Sequence, residues 1–103
     1  MILEVAILKV KKGLEKQFEV DFEKAGQFIS SIKGYVNHSL KKCIEQDNQY
    51  ILLVNWKKLE NHTIDFRQST QYLEWKKLLH HYYEPFPTVE HYETIIEYDK
   101  TNE

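Results

Sequence analysis

The sequence predicts a single α+β domain whose four-stranded antiparallel sheet is covered by helices on one face. Three observations carry this. The chain has 103 residues and room for one core. Its apolar pattern changes from strand to helix period and back in the order β-α-β-β-α-β. Glycine or proline punctuates most of the junctions. At this length a chain buries roughly 65% of its unfolded surface, enough to fold without metal or disulfide staples. We therefore read residues 1–103 as one domain, with no repeat, linker or low-complexity segment.

Residues 2–10 are mostly Ile, Leu and Val, the composition of a strand covered on both faces, and Gly13 ends the segment. From Leu14 the period lengthens. Leu14, Phe18, Phe22, Ala25, Ile29 and Ile32 recur at steps of three and four, with Glu15, Lys16, Glu19, Asp21 and Glu23 on the other side. This is an amphipathic helix that Gly34 terminates. Residues 35–45 and 49–57 are two β-rich runs separated by Gln46, Asp47 and Asn48, which predicts a hairpin. Pairing Ile44 with Tyr50, Leu40 with Val54 and His38 with Trp56 gathers Val36, His38, Leu40, Ile44, Leu52, Val54 and Trp56 on one face. A slip of one residue would put Asn37, Ser39 and Lys41 there instead, at greater cost.

Residues 59–67 form a second, shorter helical stretch. Ser69 or Thr70 can cap a third that carries Tyr72, Trp75, Leu78 and Leu79 on one side, and Pro85 and Pro87 stop it. Residues 88–99 supply a closing strand. The order is the ferredoxin-like split βαβ arrangement with a divided second helix. The sheet face away from the helices would carry Ile51 and Leu53, with Ala6, Leu8 and Ile95. That face is too apolar to leave bare, and packing against a second copy would cover it. A homodimer is expected.

Composition excludes several classes. The formal charge is −2 and Arg67 is the only arginine, so the clustered positive charge that nucleic-acid binding needs is missing. No apolar run approaches the ~20 residues that span a bilayer, and Glu4 and Lys9 interrupt residues 1–10, so no signal-peptide core is expected there. The lone Cys43 can form no internal disulfide. The expected setting is the cytoplasm, with no membrane and no nucleic-acid partner. Aromatic residues make up 14% of the chain, and those rings must fill the core, an interface or a pocket.

A run of short motifs resembles the antibiotic biosynthesis monooxygenase family over nearly the whole chain. It comprises Gly13, the segment from Ile32 to Tyr35, the segment from Asn55 to His62, and Asp65-Phe66-Arg67-Gln68-Ser69. Tyr72, Trp75 to Leu79, and Pro85 to Tyr92 complete it. Each motif is short, and their order and spacing carry the resemblance. It implies a dimeric α+β barrel in which each subunit holds a pocket between sheet and helices. Some members oxidise quinol-like or polyketide aromatics with molecular oxygen and neither metal nor flavin; others degrade haem. Fold alone does not choose between them.

Two histidines are the candidate catalytic residues. His62 stands at about the place where some oxygenating relatives have a tyrosine, and an imidazole suits the deprotonation of a phenolic hydroxyl. A surface histidine near a helix end is the competing reading. His38 lies on the apolar hairpin face, where satisfaction by a backbone group competes with catalysis. Trp56, Phe66, Tyr72 and Trp75 are the candidate substrate-binding residues, each equally readable as core. His80 and His81 point different ways, His91 lies in the last strand, and no three of these histidines read as a metal site. Cys43 is read as structural.

The departures from the family pattern bear on chemistry. Haem-degrading relatives use a first-strand asparagine, a second-helix tryptophan and an iron-ligating histidine, whose positions fall here near Ala6, Phe66 and Lys76. An ammonium cannot replace imidazole on iron at neutral pH. Quinol-type members carry an asparagine four residues before the tryptophan; here it is Leu52, and Asn55 should face the other way. The expected function is a cofactor-independent monooxygenase acting on a small aromatic or quinol-like molecule, with no cofactor and no metal. The alternatives are a non-catalytic small-molecule binding or protective module of the same fold, and a purely structural dimer.

Overall fold

The structure is a computed structural model that describes residues 1–101. Strand β1 (Ile2–Lys9) leads into helix α1 (Glu15–Ile29), then β2 (Tyr35–Lys42) and β3 (Gln49–Trp56). A π-helical turn (Asn61–Phe66), helix α2 (Thr70–Leu79), a 3₁₀ turn (His80–Tyr82) and β4 (Val89–Tyr92) follow. The sheet is antiparallel in the order β2-β3-β1-β4, which is the ferredoxin-like arrangement. The sheet of one chain is open and does not close into a barrel.

Strand parity divides the sheet into two faces. Glu4, Ala6 and Leu8 of β1 and Tyr50, Leu52, Val54 and Trp56 of β3 are buried beneath the helices. Helix α1 packs there through Phe18, Phe22, Ala25 and Ile29, and α2 through Trp75 and Leu79. Rings knit the layers: Phe18 meets Tyr50 at 5.0 Å and Phe22 meets Trp75 at 5.4 Å. Ile51 and Leu53 lie on the open face as expected. Ala6 and Leu8 do not. Both are 2% exposed, and Leu3, Val5 and Ile7 take their place outside. The continuous apolar run of β1 hid its parity, because both faces of this strand are apolar.

The hairpin keeps the expected inner face of β3 but shifts register by two residues. Lys42 stands opposite Tyr50, Leu40 opposite Leu52 and His38 opposite Val54. A two-residue shift preserves parity, so the hydrophobic pattern cannot detect it. The loop decides. The Val10 N–H donates to the Asn48 carbonyl at 2.8 Å, and the Asn48 side-chain amide donates to the Val10 carbonyl at 3.0 Å. This pins the loop to the end of β1 and leaves Ile44 92% exposed. An irregularity between Tyr35 and Asn37 turns Val36 outward from the face it was assigned, and Tyr35 packs inward in its place.

The closing strand is shorter than the expected 88–99. Its pairing with β1 runs from Val89 opposite Ala6 to Tyr92 opposite Leu3 and stops there. Ile95, Ile96 and Tyr98 are consequently exposed. The first helix also stops earlier than expected, at Ile29, and a turn carries the chain to Gly34. Gly34 has φ +85°, and a Cβ there would lie 2.0 Å from the Asn61 Oδ1. The same oxygen accepts the Lys58 N–H at 2.9 Å, while the Asn61 amide donates to Asp65 at 2.9 Å. Asn61 thereby fixes the start of the π turn against Gly34, just before β2. The Arg67 N–H reaching back to the His62 carbonyl at 3.2 Å is the five-residue bond of that turn. Ser69 then starts α2 afresh, its hydroxyl accepting the Tyr72 N–H at 3.0 Å.

Candidate functional site

The break between the π turn and α2 leaves a cavity of about 370 Å³ between the helices and the sheet. Its floor is Glu4, Ala6 and Leu8 of β1, Leu52 of β3 and Val89 of β4. The π turn contributes His62 and Phe66, with Arg67 just after it, and α2 contributes Tyr72 and Trp75. His80, Tyr83, Phe86 and Pro87 form the remaining wall. Aromatic and aliphatic side chains share the lining about evenly with polar surface, which Glu4, His62, Arg67 and His80 help to supply.

Glu4 is the chemical centre of this space. It is 4% exposed, and the Trp56 indole N–H donates to its Oε1 at 2.9 Å. The His62 Nε2 lies 3.4 Å from the same oxygen. The Glu4 Oε2 makes no hydrogen bond among the described residues, yet no buried side-chain oxygen or nitrogen is sealed without a partner. In a residue buried to this degree the remaining access is through the cavity it lines. Burial pushes the Glu4 carboxyl up to about 7, opposed by the Trp56 hydrogen bond and the Arg67 charge. A carboxyl poised there exchanges protons at neutral pH.

His62 is 3% exposed and not a surface histidine. Its ring stacks on Trp56 with centroids 5.6 Å apart and planes 22° from parallel, and its Nδ1 lies 2.7 Å from the His91 Nε2. Burial lowers His62 to about 3, and the Arg67 and His91 charges act in the same direction, so the imidazole is neutral at physiological pH. Each ring nitrogen faces a protein group, one Glu4 and the other His91. Register explains the third member. His91 of β4 pairs with Glu4 of β1, which puts both side chains on one face. His91 is only half-buried, so Glu4, His62 and His91 form a line from the cavity to the sheet edge.

Of the residues singled out from sequence, His62, Phe66, Tyr72 and Trp75 line the cavity. Trp56 does not, being fully buried behind Glu4 and covered by His62, so its face is not free to receive a ligand. His38 lies elsewhere: its ring rests on Gly26 and edge-on to Phe22, and its Nδ1 shares a 2.6 Å hydrogen bond with the Tyr35 hydroxyl. Glu4, Arg67, His80, Tyr83 and His91 escaped the sequence reading. Glu4 left one signal, as the acidic residue that shares strand parity with Ala6 and Leu8. Among the described residues no group of three or more His, Cys, Asp or Glu side chains is placed to hold a metal ion, and no helix is long and apolar enough to cross a membrane.

The uncharacterized protein YczJ of Bacillus subtilis (strain 168) is 53% identical over 95 residues, covering 92% of this chain and all of YczJ. A Bordetella bronchiseptica crystal structure classed with the antibiotic biosynthesis monooxygenases superposes with a TM-score of 0.88 at 33% identity, covering 92% of this chain and 97% of that one. SnoaB, a cofactor-independent oxygenase from Streptomyces nogalater, has the same fold, with a TM-score of 0.73 at 21% identity over 94% of both chains. The antibiotic biosynthesis monooxygenase family profile matches residues 1–78, which include β1, the π turn and nearly all of α2. The chain belongs to the antibiotic biosynthesis monooxygenase family.

Proposed function

We propose that the protein is a cofactor-independent monooxygenase that oxidises a small aromatic of quinol type with molecular oxygen. The observation that carries this is Glu4, a buried carboxyl raised to about 7 with one oxygen tethered by Trp56 and the other open to an aromatic cavity. Its Oε2 accepts the phenolic proton, and the resulting anion is electron-rich enough to reduce oxygen. A carbon–oxygen bond forms, one oxygen atom stays on the ring, and the second leaves as water with the two hydrogens that the substrate gives up. His62 and His91 carry the proton between Glu4 and the sheet edge, and Arg67 favours the anion at the cavity. Phe66, Tyr72 and Trp75 hold the ring.

Oxygen uptake with 1,4-dihydroxynaphthalene, measured in chelator-treated buffer, tests this. Wild type should consume oxygen above the buffer rate, and Glu4→Gln should lose at least ~10²-fold of that increment. No uptake above buffer across a panel of such diols would overturn the reading. One observation favours a second reading, a non-catalytic binding or protective module. Both nitrogens of His62 already face protein groups, so this imidazole is not itself free to take a substrate proton.

We also propose a homodimer, set in the cytoplasm where the lone thiol stays reduced. Leu3, Val5, Ile51 and Leu53 make one apolar sheet face, flanked by Tyr92, Ile95 and Ile96. Ile95 and Ile96 are 81% and 76% exposed, with nothing among the described residues to cover them. A second copy related by a two-fold axis presents the same surface, so a single packing covers both faces and both arms.

A further inference from the structure

Arg67 is the only residue lining the cavity that carries a fixed positive charge, and the chain has no other arginine. It ends the π turn, where its backbone N–H donates to the His62 carbonyl at 3.2 Å. The residue is exposed and still lines the cavity, so it stands at the mouth. Its charge is felt at Glu4, His62 and His91. Yet the guanidinium makes no ion pair and no side-chain hydrogen bond among the described residues. Glu4 is the one carboxyl that lines the same cavity, and it accepts from Trp56 and faces His62 instead. An arginine closed on a neighbouring carboxylate would have its charge answered within the protein. This one keeps its whole planar fork of donors free, in a cavity whose lining includes the rings of Phe66 and Tyr72.

We propose that Arg67 selects aromatic substrates that carry a carboxylate, pairing with that group at the mouth while the ring enters the cavity. The inference deepens the reading of the cavity as a substrate site and rests on it. A guanidinium and a carboxylate form two parallel N–H···O bonds, which a phenol or an amide cannot reproduce with the same charge. At the mouth both ions keep part of their water, so the pair forms with little of the desolvation penalty that a buried ion pair carries. The same exposure limits the gain to a modest factor. A neutral substituent of equal shape would leave the guanidinium to water, so the cavity discriminates by charge at this point.

Anaerobic calorimetry with 6-hydroxy-2-naphthoate and its neutral carboxamide, 6-hydroxy-2-naphthamide, tests this without turnover. At about pH 6 the probe's carboxylate is ionised, while Glu4 keeps most of its proton and does not repel it. The acid should bind wild type roughly 3- to 10-fold more tightly than the amide at low ionic strength. Salt at ~0.5 M should remove most of that preference. Arg67→Gln should abolish it and leave affinity for the amide within about twofold, whereas Arg67→Lys, which keeps the charge, should retain part of it. The side chain is exposed, so neither variant disturbs the core. Equal affinity of acid and amide for wild type, a preference that survives Arg67→Gln, or no binding of either probe at millimolar concentration would overturn the proposal. A preference for the acid without oxygen uptake from 1,4-dihydroxynaphthalene would instead sink the oxygenase reading and leave this one standing. Oxygen uptake with no preference for the acid would do the reverse.

Discussion

Glu4→Gln offers the sharpest test of the site, because its effect on stability should depend on pH in a known direction. The folded carboxyl is raised from 4.5 to about 7 by burial. A group raised on folding contributes its full stability below the unfolded value and loses it as pH rises through the folded value. At pH 5 about a quarter of the effect is already lost; by pH 8 the carboxyl is ionised in both states. At ~1.36 kcal/mol per unit, the change between these pH values is about 2.5 kcal/mol. The residue is 4% exposed, so solvent screens little of this. Glutamine keeps an oxygen for the Trp56 N–H and removes the titration. The difference in unfolding free energy between Glu4→Gln and wild type should therefore swing by about 2.5 kcal/mol in favour of the variant from pH 5 to pH 8, or roughly 10–20 °C in melting temperature. His62 opposes this in wild type. Lowered to about 3, it withholds stability as pH falls below its ordinary value of 6.5. The wild-type profile is thus flattened, and the subtraction is what isolates Glu4. Urea titrations at both pH values measure it, and a gap that does not change with pH would refute the assignment of a buried, proton-exchanging carboxyl.

Gly34→Ala should destabilise the fold by about 2 kcal/mol or more, since the methyl would strike the Asn61 amide at a backbone position with positive φ; a melting temperature within ~2 °C of wild type would contradict this. Leu53→Lys should yield monomers in sedimentation runs at micromolar concentration, because a lysine on the open sheet face would be buried without a partner in the dimer; an unchanged dimer would show that another surface pairs. Hemin titration should give no sharp one-to-one Soret endpoint, since the Lys76 ammonium lies exposed, 6.0 Å over the Tyr72 ring, at the position aligned with the iron ligand of haem-degrading relatives; a stoichiometric endpoint would overturn that alignment.

How much of this was legible follows from which physical signal each feature leaves. The α1 stripe from Phe18 to Ile29 and the inner face of β3 follow from periodicity, which burial enforces directly. The hairpin register did not, because a two-residue shift keeps every side chain on its face; the bonds from the Cys43 N–H to the Gln49 carbonyl and from the Gln49 N–H to the Gln46 carbonyl go with the observed pairing. The end of β4 was invisible for a related reason. Residues 93–98 have strand composition, but the ladder with β1 ends at Tyr92. At the site, sequence found the aromatic lining and His62 and missed the carboxyl. A glutamate in an apolar run reads as an interruption until parity shows it facing Trp56, 52 residues away. His38 misled for the opposite reason. It shares a strand face with core residues, yet it stands toward the edge strand β2, under α1, and away from the broken helix that makes the cavity.

That broken helix ties the stability of the fold to its chemistry. A regular helix across residues 59–79 would lie flat on β1 and close over Ala6, whose methyl is too small to fill the space above it. The π turn prevents this. Its five-residue bond from Arg67 to His62 lets His62 and Phe66 both turn toward the sheet, and Ser69 restarts the helix with Tyr72 and Trp75 facing the gap. The same turn covers one side of Glu4 with an imidazole and adds to the burial that holds its proton to about 7. The cost of burying that carboxyl is carried by rigid surroundings: Trp56 is fully buried, Asn61 locks the turn to Gly34, and β4 holds His91 opposite Glu4. The irregular segment is therefore the part of the fold that opens the cavity, and the carboxyl beneath it is the group there that can exchange a proton near neutral pH.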